Sequence, residues 1–520
     1  MLFFLLFSAI LCAVVYCFGL SGWVGSFHVF NDFLFNCLFD DVSLLCVFML
    51  FCCGSIALFY CYHYFGDSPE GGLLFALIVW FLSVMFVLVF TSSLVFTLVL
   101  WEYLGLVSFF LIMFYSNSSS MRASLITVFA SRFGDASLFI LIMWVCRWLE
   151  YSGVLFLVLY LLVVLSKSAA YPFISWLLEA MRAPTPVSSL VHSSTLVAAG
   201  AWFLYRYNYV CDPRMLEVLF YLGIVTIFIT GVSALVFQDL KKIVALSTCN
   251  NVSWCLIFFV CGDLVLALLQ LLTHGVSKCF LFMSVGDLMS SSGGSQSALG
   301  VYLSRYSGLY GVVLQLVLVF SLCGLPFIGV FFSKHGLFCE FLYNYGAVSL
   351  VLLLLGFFVS YVYSTRLAML LFGSVGGLSF GYVSSFLLIA LVSVFSTIVN
   401  YAGCCWFLEA NELGVFWGTL FSVLQVLGCL TGWLVGARCL LGEQGIWESL
   451  LWGNDVVVGW LYGCFLSLSK VCAFSYYRWE LYLLGLWGGC PSKSGGVVLF
   501  SFNFMMLGLL FVSFFYLVVL

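Results

Sequence analysis

Charge is what this sequence has least of. Only 7% of its 520 residues are Asp, Glu, Lys or Arg, against roughly 25% in soluble domains. With a hydrophobic share of 65% and a mean hydropathy of +1.22, this excludes a soluble globular protein. No Lys or Arg precedes Arg122. A secretory signal needs a basic n-region and a mitochondrial transit peptide is Arg-rich. The opening stretch MLFFLLFSAILCAVVYCFGL therefore reads as a retained first span, and a protein working inside an organelle would be made there. The net charge of −4 and the lack of basic clusters give no nucleic-acid surface. Neither a Gly-rich phosphate loop nor a nucleophile–base–orienter set is present.

The 22 cysteines never fall in a CxxC spacing. Zinc and iron–sulfur sites need clustered thiolates, and the adjacent pairs Cys52–Cys53 and Cys404–Cys405 offer poor ligand geometry. Buried Cys behaves as a small hydrophobe, so we expect no metal or redox group in this chain.

What the sequence does have is long apolar runs. A membrane-crossing helix takes about 20 apolar residues, and backbone groups in lipid must satisfy one another, which favours helices. The runs predict an all-α, polytopic membrane protein of about fifteen spans: 2–20, 42–63, 72–91, 93–115, 122–146, 153–179, 185–205, 214–237, 240–261, 264–289, 311–337, 346–373, 378–400, 412–436 and 497–519. If loops alternate sides, Arg122, Arg182, Lys241, Lys242, Arg305 and Arg438 share one side, and Arg147, Arg206 and Arg214 the other. The positive-inside rule assigns the first set to the cytoplasmic or matrix face. Residues 440–490 break the pattern. Glu443, Glu448, Asp455, Lys470, Arg478 and Glu480 recur among Trp, Leu and Val, which suits a long helix lying along the interface. One or two further spans, for instance around 456–474, are the alternative.

Against this background a few charges stand at membrane depth, where each costs about 2.5–3.5 kcal/mol on insertion scales. Lys167 lies beside Pro172 in LSKSAAYPFISW, and Lys334 beside Pro326 in LCGLPFIGVFFSK. Proline removes a backbone donor and breaks the helical ladder, and paired broken helices in two halves of a transporter build midplane ion sites. Two ordinary proline kinks would give the same pattern, and Lys334 is close enough to a span end to snorkel to the interface. Glu102 sits in LVLWEYLGLVSFFL with no opposite charge within a helical turn. Arg132 and Asp135 are spaced to pair with each other, and Asp135 is also a candidate modulator of Lys167 from a neighbouring helix. His192 follows TPVSSLV, with Ser188, Ser189, Ser193, Ser194 and Thr195 around it; a satisfied core histidine fits equally. His274 and Lys278 share a helix face at i,i+4. Burial disfavours the charged form of all these groups, so a series of them can exchange protons as neighbouring charge changes. The chemistry points to a proton route.

These segments resemble the chain 5 family of NADH–ubiquinone oxidoreductases, the distal antiporter-like subunit of respiratory complex I. The main signature is KSAAYPFISWLLEAMRAPTPVSSLVHSSTLVAAG, and WEYLGLVSFFLI, SRFGD, DLKKIVALST, THGVSKCFLF, GLPFIGVFFSK and YVYSTRLAML support it in family order from Trp101 to Leu370. The resemblance implies proton translocation coupled to NADH oxidation and ubiquinone reduction in other subunits. Glu102 would sense charge from the neighbouring subunit, and Lys167, modulated by Asp135, would be the central lysine on the first broken helix. His192, His274 and Lys278 would form the hydrophilic axis and Lys334 its end near the exit. FMN, iron–sulfur clusters and ubiquinone would belong to partner subunits. The implied partners are membrane-arm subunits, especially the chain 4 paralogue, and lipids. The implied site is the mitochondrial inner membrane. Expected segments are shortened N-terminal helices (1–71), two antiporter-like halves (72–237 and 238–400), a connecting helix (401–439), a lateral helix (440–490) and an anchor (491–520).

The sequence also departs from the family. One helix fewer is read before Gly72, Leu178 replaces a proline, and His335 and Gly336 replace two acids beside Lys334. Ser290 stands where the family has a relay histidine, with Asp287 the nearest substitute. A large subunit of a multisubunit cation/proton antiporter shares most of these motifs, and a structural subunit with a lapsed channel is a third reading.

Overall fold

The computed structural model describes residues 23–28, 34–66, 68–146, 153–208, 213–262, 264–291, 294, 296–297, 308–326, 328–344, 346–372, 397–398, 400–401, 415–439 and 452–489. It falls into two units, Met1–Asn454 and Asp455–Leu520. In the first unit a hairpin, β1 (Trp23–His28) and β2 (Leu34–Phe39), precedes α1 (Asp41–Phe65), α2 (Pro69–Val89), α3 (Leu94–Ile112), α4 (Ser118–Cys146), α5 (Val154–Ser168), α6 (Ser175–Ala180), α7 (Thr185–Ser193), α8 (Leu196–Arg206), α9 (Pro213–Ala234), α10 (Leu240–Val260), α11 (Leu264–Ser291), α12 (Gly308–Cys323), α13 (Phe331–Asn344), α14 (Ala347–Phe372) and α15 (Val415–Cys439). The last described helix, α16 (Trp452–Gly489), carries the chain into the second unit.

Ten helical stretches among the described residues are long and apolar enough to cross a membrane, and two shorter apolar helices, Val154–Ser168 and Val312–Cys323, lead into the broken segments. The predicted spans 2–20 and 497–519, and most of 378–400, lie outside the described residues, as do Arg147, Arg305, Cys404, Cys405, Glu443 and Glu448. Start signals behave as physics demands. Asp40 accepts from the Ser43 amide at 3.0 Å and closes a capping box on α1, and Ser68 caps α2 with Pro69 at its first position, where a missing N–H costs nothing.

The hairpin lies between the predicted spans 2–20 and 42–63 and adds a short two-stranded element to the helical bundle. Its strands pair antiparallel from Trp23↔Phe39 to His28↔Leu34. Arg206, expected in a loop on the weakly basic side, is instead buried and holds this hairpin to the bundle. Its guanidinium donates to the carbonyls of Thr91 (3.0 Å) and Leu38 (3.2 Å) and pairs with the Asp40 carboxylate. Breaking a buried pair from one side costs about 3–5 kcal/mol. Because Asp40 is partly exposed, Arg206→Met is expected to cost about 3 kcal/mol, the lower end of that range. Faster amide exchange confined to Leu34–Phe39 and the first turn of α1 would be the sign.

The helices α7, α8, α10 and α11 form the buried centre, with α2–α4, α9, α14 and α15 around them. The predicted continuous span 185–205 is divided. Its helical bonds stop at Ser194–Thr195 between α7 and α8, where hydroxyls take over: Thr195 Oγ1 donates to the Leu190 carbonyl at 2.9 Å, and Ser193 Oγ to that of Ser189.

Candidate functional site: a buried charge axis at two helix breaks

The first break follows α5. Ala169 adopts φ 53° and caps the helix, and Ser168 Oγ bonds back to Val164 at 2.8 Å. Trp176 Nε1, from α6, donates to the Ser166 carbonyl at 3.0 Å. Lys167 is thus fixed in the last turn of α5, fully buried, with its Nζ 5.3 Å from the Trp101 ring centroid. The second break follows α12, where Gly324 (φ 78°) and Gly329 (φ 57°) take left-handed conformations that favour glycine. Lys334, on α13, reaches back across it and donates to the Cys323 carbonyl at 2.9 Å. Trp254, Phe357 and Tyr361 surround its ammonium at 5.6–5.7 Å, an arrangement that stabilises a cation through ring quadrupoles. The snorkelling alternative for Lys334 fails, because the side chain is fully buried.

Four charges form a ladder leading inward to Lys167. Arg132 lies 3.4 Å from both Glu102 and Asp135, and Asp135 lies 4.0 Å from Lys167. Exposure falls along it, from 51% at Glu102 and 50% at Arg132 to 3% at Asp135 and 1% at Lys167. Glu102, expected to be buried and without an opposite charge nearby, is half-exposed in this chain and has Arg132 on the adjacent helix as its partner. Arg132 and Asp135 do pair locally, and Asp135 faces Lys167 as well. Hydroxyls of Ser108, Thr127, Ser131 and Ser166 line a cleft beside Lys167 that extends to Trp176.

Farther along, the Trp176 ring lies 6.3 Å from that of His192, and α7 packs on α11, which carries His274 and Lys278. His192 approaches the Ala180 backbone. Both ring nitrogens of His274 are buried with no hydrogen-bond partner among the described residues, a state that favours bound water. Lys278 donates to the Val244 carbonyl at 3.2 Å and to Ser247 Oγ. A second cleft, lined by Ser247, Asn251, Lys278, Cys323, Tyr363 and Ser364, runs from Lys278 toward the break that holds Lys334.

Sequence reasoning gave no site role to several participants, although it noted Lys241, Ser290 and Asp287. Lys241 is buried and donates to the Ala183 carbonyl at 3.2 Å, just before α7. Asn250 donates to the Ile227 carbonyl and accepts from Trp254 Nε1, both at 3.1 Å; two adjacent asparagines inside an apolar helix were the available signal. Arg366 is buried against the carbonyls of Ala234 (2.6 Å) and Phe237 (2.9 Å) at the end of α9, where a cation suits the helix dipole. Ser290 donates to the Asp287 carbonyl at 2.9 Å, while the Asp287 carboxylate meets His63 of α1 at 3.1 Å. No group of three or more His, Cys, Asp or Glu side chains among the described residues is arranged to hold a metal ion.

The model of the family described as "NADH:quinone oxidoreductase/Mrp antiporter, TM" matches residues 91–361, from the hairpin contact through both breaks. The NADH-ubiquinone oxidoreductase chain 5 of Ascaris suum is 32% identical over 96% of this chain and 90% of its own. This chain belongs to the chain 5 family. The Caenorhabditis elegans chain 5 is 34% identical over 67% of this chain and 69% of its own. With the Aedes aegypti chain 5, at 33% identity, the match spans 57% of this chain and only 54% of the relative. Among solved structures, a chain of the Mrp complex from Dietzia sp. DQ12-45-1b superposes with a TM-score of 0.73 at 21% identity, covering 93% of this chain and 59% of that one. A chain of an archaeal membrane-bound sulfane sulfur reductase gives 0.65 at 14% identity, covering 84% and 93%. Both likenesses are of fold. This chain 5 relative is a multi-pass membrane protein with the antiporter-like architecture.

Proposed function

We propose that this chain is the proton-translocating chain 5 subunit of respiratory complex I in a mitochondrial inner membrane, where NADH oxidation and ubiquinone reduction in other subunits drive it. The observation that carries this reading is the pair of fully buried lysines at two helix breaks, with a graded charge ladder leading in to Lys167. A unit pair at 4 Å interacts by about 4 kcal/mol at an effective dielectric of about 20. The Asp135 charge, 4.0 Å from Lys167, therefore bears directly on whether Lys167 holds its proton, and Glu102 and Arg132, half-exposed and screened by solvent, act through it. The proton then passes along the His192, His274 and Lys278 axis toward Lys334. FMN, iron–sulfur clusters and the quinone site belong to partner subunits. The chain 4 paralogue adjoins Glu102, and α16, which the sequence predicts as a lateral helix, runs along the membrane against neighbours and lipid.

Mild solubilisation of the native membrane, separation of complexes by size and mass spectrometry of each fraction test the assignment. The chain is expected to co-migrate with rotenone-sensitive NADH:quinone reductase activity. Recovery in a smaller particle without flavin or iron–sulfur clusters would overturn it in favour of a cation/proton antiporter.

A further inference from the structure

The axis needs a place where protons come in from water, and one cluster outside it has the right construction. His63, at the C-terminal end of α1, meets Asp287, at the C-terminal end of α11, at 3.1 Å. Both side chains are partly open to the surroundings, at 31% and 29% exposure. An exposed ion pair alone would carry no function and is worth about 0–1 kcal/mol. Here, however, the pair continues inward. Tyr60, one turn before His63, is fully buried, and its hydroxyl stands with Thr185 against Gly286, the residue before Asp287. Gly286 is what lets them come so close. A Cβ there would stand 2.6 Å from Tyr60 Oη and 3.1 Å from Thr185 Cβ.

Thr185 begins α7, and His192 lies seven residues later on the same helix. Seven residues is close to two turns, so the two share a face about 10 Å apart. Ser188 and Ser189 fill the interval. The same end of the bundle carries Lys241 against Ala183, the Arg182–Glu179 pair and the Lys242–Asp239 pair. It is thus the end that the positive-inside rule assigns to the cytoplasmic or matrix face.

We propose that His63 and Asp287, with Tyr60 and Thr185 behind them, form the port through which protons are taken up and delivered to His192. This rests on the proton-translocating reading above. A proton from water binds the His63 ring at Nδ1 while the proton on Nε2 passes to Asp287. The Tyr60 oxygen accepts it as the Tyr60 O–H proton moves to the Thr185 hydroxyl, and Thr185 gives up its own proton by way of Ser188 and Ser189 to His192, so each group from His63 to Thr185 gains one proton and loses one. The histidine missing at Ser290 is thereby replaced from a different helix. Titratable groups facing the pair are Tyr60 and Tyr64 from α1 and Asp287 from α11, with Tyr115 and Glu70 beyond Tyr64. Lys241 faces His192 from α10.

The test uses intact complex carrying His63→Gln, which keeps size and polarity but cannot titrate, reconstituted in vesicles. The rate at which this chain moves protons is expected to fall about a hundredfold or more, within the range for a lost proton-transfer group, and added imidazole is expected to restore it. Tyr60→Phe, which keeps the ring and loses only the hydroxyl, is expected to lower the rate without imidazole rescue. A complex with both variants that keeps the unmodified proton-to-electron ratio would overturn the port. So would a loss in His63→Gln that imidazole leaves unchanged. Lys167→Met separates the two levels: if it also leaves pumping intact, the underlying translocation reading fails; if it stops pumping while His63→Gln and Tyr60→Phe do not, only the port fails.

Discussion

Lys167→Met is expected to lower the proton-to-electron ratio of the intact complex while leaving the complex assembled. Methionine fills nearly the same volume and cannot carry a proton. Asp135, which loses Lys167 as a partner, keeps Arg132 at 3.4 Å, so the substitution leaves no buried charge unpaired. Loss of a positioned proton-transfer group typically costs a factor of about 10²–10⁴, and proton movement through this chain should fall by at least the lower figure. The opposite substitution separates function from folding. Asp135→Ala leaves Lys167 buried, with the Trp101 carbonyl at 3.5 Å and the Trp101 ring as its remaining contacts. An uncompensated buried charge costs about 3–5 kcal/mol, so this variant is expected to lose assembled complex as well as pumping. Proton-to-electron ratio in vesicles and the yield of assembled complex together read both effects. A Lys167→Met complex that pumps normally would remove Lys167 from the route.

Gly200→Ala is expected to be among the most damaging single-methyl additions in the chain. The new Cβ would stand 2.6 Å from the Ser168 amide nitrogen and 2.9 Å from the Val164 carbonyl oxygen. Those are backbone atoms in the last turn of α5, next to Lys167, and no side-chain rotation relieves the clash. Overpacking usually costs about 1–3 kcal/mol, and contact with backbone puts this site at or above about 3. Gly418 on α15 is the control, because a Cβ there meets nothing within 4 Å, and alanine in a helix interior is favoured by roughly 0.5–1 kcal/mol. Thermal denaturation of the solubilised complex should show a lowered midpoint for Gly200→Ala and none for Gly418→Ala.

Much of this architecture was legible in the chain because its signals are local. Pro172 and the glycines around Pro326 announce their breaks within a few residues, and the apolar runs fix most spans. The hidden features depend on partners far away in sequence. The α7–α8 break has neither Pro nor Gly at it; three hydroxyl residues, Ser193 to Thr195, support it instead. Arg206 read as a loop charge because its acceptors belong to Leu38, Asp40 and Thr91. Glu102 read as solitary because Arg132 reaches it from a different helix. His63 drew no attention because the carboxylate it meets, that of Asp287, lies 224 residues on. The hairpin escaped because its two apolar hexapeptides look like short membrane-flanking runs, and only the Asn31–Asp32 pair between them hints at a turn.

The Arg206 clamp also sets a timetable. It joins Asp40 to a residue 166 positions later, and chains are synthesised at about 5–20 residues per second. The hairpin therefore emerges on the order of 10–30 s before its anchor exists, and α1 to α7 must be inserted in that interval with the Asp40 carboxylate still lacking its guanidinium. The strands are thus made well before the contact that fastens them. A ribosome-bound chain truncated before Arg206 should leave them open to protease, and one extended through α9 should not.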